Sequence, residues 1–125
     1  MEHPHKHRPG ITHGLRAAGI AFQGLRAAWQ HEDAFRQEVV IAVFAIPGAL
    51  FLPVAPLGKV LMIASILLVL IVELINSALE AAVDFTSLDH HPLAKRAKDI
   101  ASAAVFLSIM NVLAVWGLVL YTGLA

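Results

Sequence analysis

The chain has 125 residues, of which 58% are hydrophobic and 14% charged, with a mean hydropathy of +0.74 and a formal net charge of zero. That composition is too apolar for an ordinary soluble domain, and the balanced charge excludes a bulk electrostatic case for nucleic acid. There is no cysteine, which excludes disulfides, thiolate zinc sites and cysteine nucleophiles.

Residues 1–10 are polar, with His3, His5 and His7 alternating ahead of Pro9-Gly10. They read as a flexible tail rather than a metal site, and no apolar signal core follows them. Residues 11–37 are expected to form an amphipathic surface helix. Ile11, Leu15, Ala18, Phe22, Leu25 and Trp29 recur at alternating spacings of four and three, which makes one apolar stripe. Such a helix suits the membrane interface, with Trp29 at headgroup depth, and equally suits packing on its own bundle.

Residues 31–38 concentrate charge where the chain enters the membrane. Glu32 and Arg36 stand four apart and can pair on one helix face. Alternatively, Glu32 ligates a cation while Arg36 and Gln37 address a phosphate or headgroup.

Three spans follow, at 39–58, 60–84 and 100–124, giving an all-α membrane protein built as a single domain over residues 1–125. The first is uncharged, with a kink expected at Pro47-Gly48 and an end marked by Pro53 and Pro56. Residues 85–99 read as a short polar connection. The third span opens on the small residues Ala101, Ser102, Ala103 and Ala104, which permit close helix approach. Trp116 and Tyr121 suit the far interface. Lys6, Arg8, Arg16, Arg26 and Arg36 precede the first span, and Lys95, Arg96 and Lys98 lie between the second and third. Only Lys59 falls on the other side. Positive charge inside therefore places the N-terminus and second loop in the cytoplasm.

The second span is the informative one. Val60–Val72 has no charge, and then come Glu73, Asn76, Ser77, Glu80 and Asp84. At about 100° per residue these five fall in one narrow stripe. With the lipid core beginning near Lys59, Glu73 lies about 21 Å along, inside a core about 30 Å thick. Glu80 is at the waterline and Asp84 beyond it. An ionisable residue at that depth is costly and points to function more than to packing. The topology gathers Glu32, Glu38, Glu80, Asp84, Lys98 and Asp99 at the same interface.

Carboxylates at a waterline suit Mg²⁺, which takes one or two of them together with phosphate oxygens. Lys98 can neutralise phosphate, and a desolvated Glu73 can serve as general base to a lipid hydroxyl. Phosphoryl transfer across the interface is the chemistry these groups support. No Walker or protein-kinase nucleotide motif is present. An oligomeric proton or cation pathway lined by Glu73 is the competing class. Against it, the first half of the second span and the whole third span carry no charge.

The segments GLRAAW (24–29), AFRQE (34–38), VELINSALEAAVD (72–84) and RAKDIASAAV (96–105) closely resemble the small prokaryotic diacylglycerol kinases, in register from about residue 12 onward. The resemblance implies a homotrimer in the bacterial inner membrane, with three transmembrane helices and a surface helix per chain and active sites shared between chains. It implies MgATP-dependent phosphorylation of diacylglycerol to phosphatidic acid. Some relatives use undecaprenol instead; FRQE and NSALE look more like the diacylglycerol type. By the same resemblance Glu73 is the catalytic base, and Glu32 and Glu80 hold Mg²⁺ and contact the nucleotide. Lys98 and Asp99 contact ATP, with Asp89, His90 and His91 in the nucleotide-side loop. Ala17, Arg26, Trp29, Arg36, Gln37, Glu38 and Ser102 line the lipid side, and Asn76 lies close to Glu73. The chain departs from the pattern at His13, where relatives commonly have an Arg at the nucleotide, and at Ile20, where they often have Tyr.

Overall fold

A computed structural model describes residues 10–86 and 91–123. Four helices run in chain order: α1 (Ile11–His31), α2 (Asp33–Phe51), α3 (Pro56–Thr86) and α4 (Pro92–Thr122). The last three are long and apolar enough to cross a membrane, and there is no strand among the described residues.

α3 is the central element, in contact with each of the other three. Its buried residues are Gly58, Met62, Ser65, Ile66, Val69 and Glu73. The run Met62, Ile66, Val69, Glu73 advances by four, three and four, which is one helix face. α2 meets it along a stripe of strict seven-residue spacing: Phe35, Ala42 and Ala49 are its buried residues. The two alanines let the backbones approach closely. Ala49, Met62 and Val119, one from each long helix, form the core, with Leu52, Ile63, Val115 and Trp116 packed around it. That core is small. Phe44, Phe106 and Leu118 are all more than half exposed, so the outer faces are apolar surface that water would not tolerate in such quantity.

The helix ends explain the connections. Val54 donates to the Leu52 carbonyl in the turn after α2, and Pro56 opens α3 at a position where a missing N–H costs nothing. Lys59 Nζ donates to the Leu50 carbonyl at 2.6 Å, placing a cation on the C-terminal end of α2. His91 caps α4, its Nδ1 accepting from the Leu93 N–H at 3.1 Å ahead of Pro92. Gly123, at φ 61°, ends α4 in the left-handed conformation that glycine adopts most readily.

Several boundaries differ from the expected ones. The surface helix stops at His31 rather than continuing to residue 37, because Glu32 is extended and the chain re-enters a helix at Asp33. The first span ends at Phe51, and α2 continues through Pro47. Most of the expected polar connection at 85–99 is helical: α3 reaches Thr86 and α4 begins at Pro92, so Lys95, Arg96, Lys98 and Asp99 stand on a helix. α1 buries only Ala28, while Ile11, Leu15 and Phe22 are largely exposed. Its apolar stripe is thus not covered by its own bundle, which favours the interfacial placement.

Candidate functional site

The helical period that buries Met62, Ile66 and Val69 also buries the residue at 73, and that residue is a glutamate, only 4% exposed. Glu80, two turns on, is half-buried, and Asp84 is exposed. Burial within the protein thus falls along α3 from Glu73 to Asp84. Glu32, at the joint between α1 and α2, and Glu80 both lie close enough to Glu73 for their charges to repel it.

Asn76 stands beside this group, and its amide donates to Glu80 Oε1 at a long 3.4 Å. Its own carbonyl oxygen, Oδ1, is buried without a partner, as is the Ser77 hydroxyl. Buried polar atoms left unpaired are uncommon and mark places where a further group can bind. Ser77 faces a groove of about 630 Å³ between α1 and α3, whose walls include Gly24, Ala28, His31, Glu32 and Ala78. The small side chains make the room, and the groove is almost wholly apolar apart from Glu32, His31 and Ser77.

Glu38 stands on α2. Its Oε2 is buried without a partner. It heads a smaller apolar groove of about 190 Å³ between α2, α3 and α4, lined by Ile41, Ile66, Val69 and Ile109 among others. The charge of Glu73 reaches it as well.

At the wet end, Lys98 Nζ meets Asp84 Oδ1 at 2.5 Å, tying the first turns of α4 to the last turns of α3. Glu80 also lies within reach of the Lys98 charge. Asp99 is held by Lys95 at 2.6 Å instead. Arg36 does not pair with Glu32: its guanidinium pairs with Asp33 and donates to the Trp29 carbonyl at 3.1 Å. The reason is the break at Glu32, which takes that residue off the α2 face and leaves Asp33, three residues before Arg36, as the carboxylate in reach.

Not every expected site residue joins the cluster. His13, Ala17, Arg26, Gln37, His91 and Ser102 are exposed. Among the described residues no hydrogen bond or ion pair links them to Glu73. Asp89 and His90 lie outside the described residues. Trp116 is partly buried in the helix packing near Met62. Sequence spacing missed two contacts. Asp33–Arg36 was visible as a three-residue spacing, whereas Asp84–Lys98 needed the α3–α4 packing.

Among the described residues no group of three or more His, Asp or Glu side chains is set to hold a metal by itself. The donors nonetheless fit Mg²⁺, which is bound by one or two carboxylates plus phosphate oxygens rather than by an all-protein cage. Glu32 and Glu80 supply two hard carboxylates, and among the described residues only one Glu80 oxygen accepts a hydrogen bond.

Comparison with known proteins gives one answer. The family model for prokaryotic diacylglycerol kinase matches residues 19–120. The diacylglycerol kinase of Escherichia coli is 45% identical over 113 residues, covering 90% of this chain and 93% of that one. That of Pseudomonas aeruginosa is 46% identical over 117 residues, covering 94% and 95%. That of Helicobacter pylori is 47% identical over 108 residues, covering 86% and 84%. With three helices long and apolar enough to cross a membrane, and with likeness over nearly its whole length, this chain belongs to the prokaryotic diacylglycerol kinase family.

Proposed function

We propose that the chain transfers the γ-phosphoryl group of MgATP to the free hydroxyl of diacylglycerol, giving phosphatidic acid and ADP. The observation that carries this reading is the placement of Glu73: buried on the packing face of α3, at membrane depth, with Glu32 and Glu80 beside it. The relatives' shared name supports the lipid.

In this reading Glu73 accepts the hydroxyl proton as the lipid oxygen attacks the γ-phosphorus, and the bond to the β-γ bridging oxygen breaks to release ADP. A base must lie within hydrogen-bond reach of the hydroxyl, and a lipid brings its hydroxyl to the depth at which Glu73 sits. Mg²⁺ held by Glu32 and Glu80 supplies charge neutralisation to the phosphates. Lys98, tied to Asp84 beside Glu80, stands where a nucleotide phosphate would meet positive charge. The apolar grooves headed by Glu38 and lined by Glu32 and Ser77 offer room for acyl chains. Undecaprenol is the alternative acceptor within the family.

The remaining parts follow the same reading. His13, Ala17 and Ser102 are exposed in a single chain, which supports a homotrimer with sites shared between chains. The basic residues support a multi-pass protein of the bacterial inner membrane with the N-terminus and second loop cytoplasmic.

The test is phosphate transfer from labelled MgATP in mixed micelles, with diacylglycerol beside undecaprenol. Labelled phosphatidic acid, absent with Glu73→Gln, is the expected result. A strong preference for undecaprenol would reject the substrate, and equal transfer by Glu73→Gln would reject the base.

A further inference from the structure

Glu32 is the single residue between α1 and α2. Its backbone is extended, at φ −120° and ψ 106°, between two helical neighbours. Its N–H closes α1 on the Ala28 carbonyl at 2.9 Å, and its carbonyl opens α2 by accepting the Arg36 N–H at 3.2 Å. Its side chain caps neither helix, so the carboxylate is left for other use. A one-residue joint has two soft dihedrals: relative to α2, a change in ψ swings α1 and the carboxylate together, and a change in φ swings α1 alone.

Arg36 spans that joint. Nη1 donates to the carbonyl of Trp29, in the last turn of α1, where helix carbonyls lack an intrahelical partner. Nη2 pairs with Asp33 at the start of α2. The planar, forked guanidinium makes both contacts at once, and Asp33 orients it. The carboxylate of Asp33 is 83% exposed and the arginine 40%, so the pair adds little to global stability. What it can fix is direction.

We propose that Asp33 and Arg36 are positioning residues: the Asp33–Arg36–Trp29 strap locks the joint and so holds the Glu32 carboxylate towards Glu73 and Glu80. The proposal rests on the reading of Glu32 as a Mg²⁺ ligand. It also gives Arg36 a different task from a lipid-headgroup contact, because two of its nitrogens are already engaged on the protein. Groups that orient a metal ligand, without touching the metal, commonly shift metal affinity when changed.

The experiment compares Asp33→Asn, Asp33→Glu, Arg36→Lys and Glu32→Gln in the full chain. It measures the Mg²⁺ dependence of phosphate transfer at saturating lipid, the KM for diacylglycerol, and amide hydrogen exchange at Glu32 without metal. Asp33→Asn and Arg36→Lys should raise the half-maximal Mg²⁺ concentration about tenfold. They should speed exchange at Glu32 and leave the lipid KM unchanged. Lysine keeps the charge but lacks the fork. Asp33→Glu should restore wild-type behaviour. Glu32→Gln should shift the Mg²⁺ requirement without speeding exchange. If Glu32→Gln shifts it while Asp33→Asn and Arg36→Lys change neither Mg²⁺ dependence nor exchange, the strap is wrong and the ligand reading stands. If Glu32→Gln leaves Mg²⁺ dependence unchanged, the ligand reading and the proposal both fall. A raised lipid KM in Arg36→Lys, with Mg²⁺ dependence unchanged, returns Arg36 to the lipid.

Discussion

The indole Nε1 of Trp116 donates to the backbone carbonyl of Met62 at 3.2 Å, joining α4 to α3. The same carbonyl accepts the Ser65 hydroxyl at 2.7 Å. Met62 is fully buried between Ala49 and Val119, so this polar pair sits against the tightest part of the core. It fixes the height of α4 against α3, where apolar surface alone would allow sliding, since lipid and leucine attract a helix about equally.

Trp116→Phe keeps an aromatic ring and removes the N–H. It should cost about 1–3 kcal/mol, from the lost bond and the smaller ring together. Thermal inactivation in micelles reads this directly. A half-life equal to wild type would show that the Met62 contact contributes nothing.

Much of the architecture was legible in the sequence because its signals are local. Three apolar runs, an amphipathic stretch and an acidic stripe at helical spacing need no tertiary information. The stripe from Glu73 to Asp84 lies on one continuous helix for that reason. The joint at Glu32 was not legible. No proline or glycine marks it, and the charges that follow Trp29 at 31–38 read equally as the polar end of one continuous helix. The task of Trp116 was hidden too: a tryptophan near a span end looks the same whether its N–H meets a headgroup or a neighbouring helix. Asp84 and Lys98 are each visible as charges, but their pairing depends on how α3 and α4 align.

Glu73→Gln should separate activity from stability. Glutamine fits the same space and removes the carboxylate that a general base requires, so transfer should fall by about 10² to 10⁴-fold. Burial of an ionisable group at this position, 4% exposed, works against the fold. The inactive variant should therefore survive heating longer than wild type, the expected trade where a site is built from unfavourable groups. Nucleotide binding in the same sample should be retained. A variant that is both inactive and less heat-resistant would mean that Glu73 supports the helix packing rather than the chemistry.

Glu80→Gln tests the metal side. Glu80 is half-buried, and Asn76 takes only one of its oxygens, at a long 3.4 Å. Loss of one carboxylate ligand should raise the Mg²⁺ concentration for half-maximal activity by about tenfold or more. The maximal rate at saturating Mg²⁺ should fall less than in Glu73→Gln. A Mg²⁺ titration of phosphate transfer that overlays wild type would remove Glu80 from the ligand set.

Asp84→Asn tests whether the α3–α4 tie serves the nucleotide. Asp84 holds Lys98 Nζ at 2.5 Å, and Glu80 adds its charge from one turn deeper. If Lys98 addresses a phosphate, loosening it should raise the KM for ATP about fivefold, because an ammonium that must be re-ordered on binding gives back part of a charge-assisted hydrogen bond. The KM for diacylglycerol should stay put, since Asp84 is exposed at the wet end and far along α3 from the submerged base. Both side chains are well exposed, so high salt should narrow the gap between variant and wild type by screening the pair that only the wild type has. A raised lipid KM with the ATP KM unchanged would instead make the tie a brace for the lipid side of the bundle.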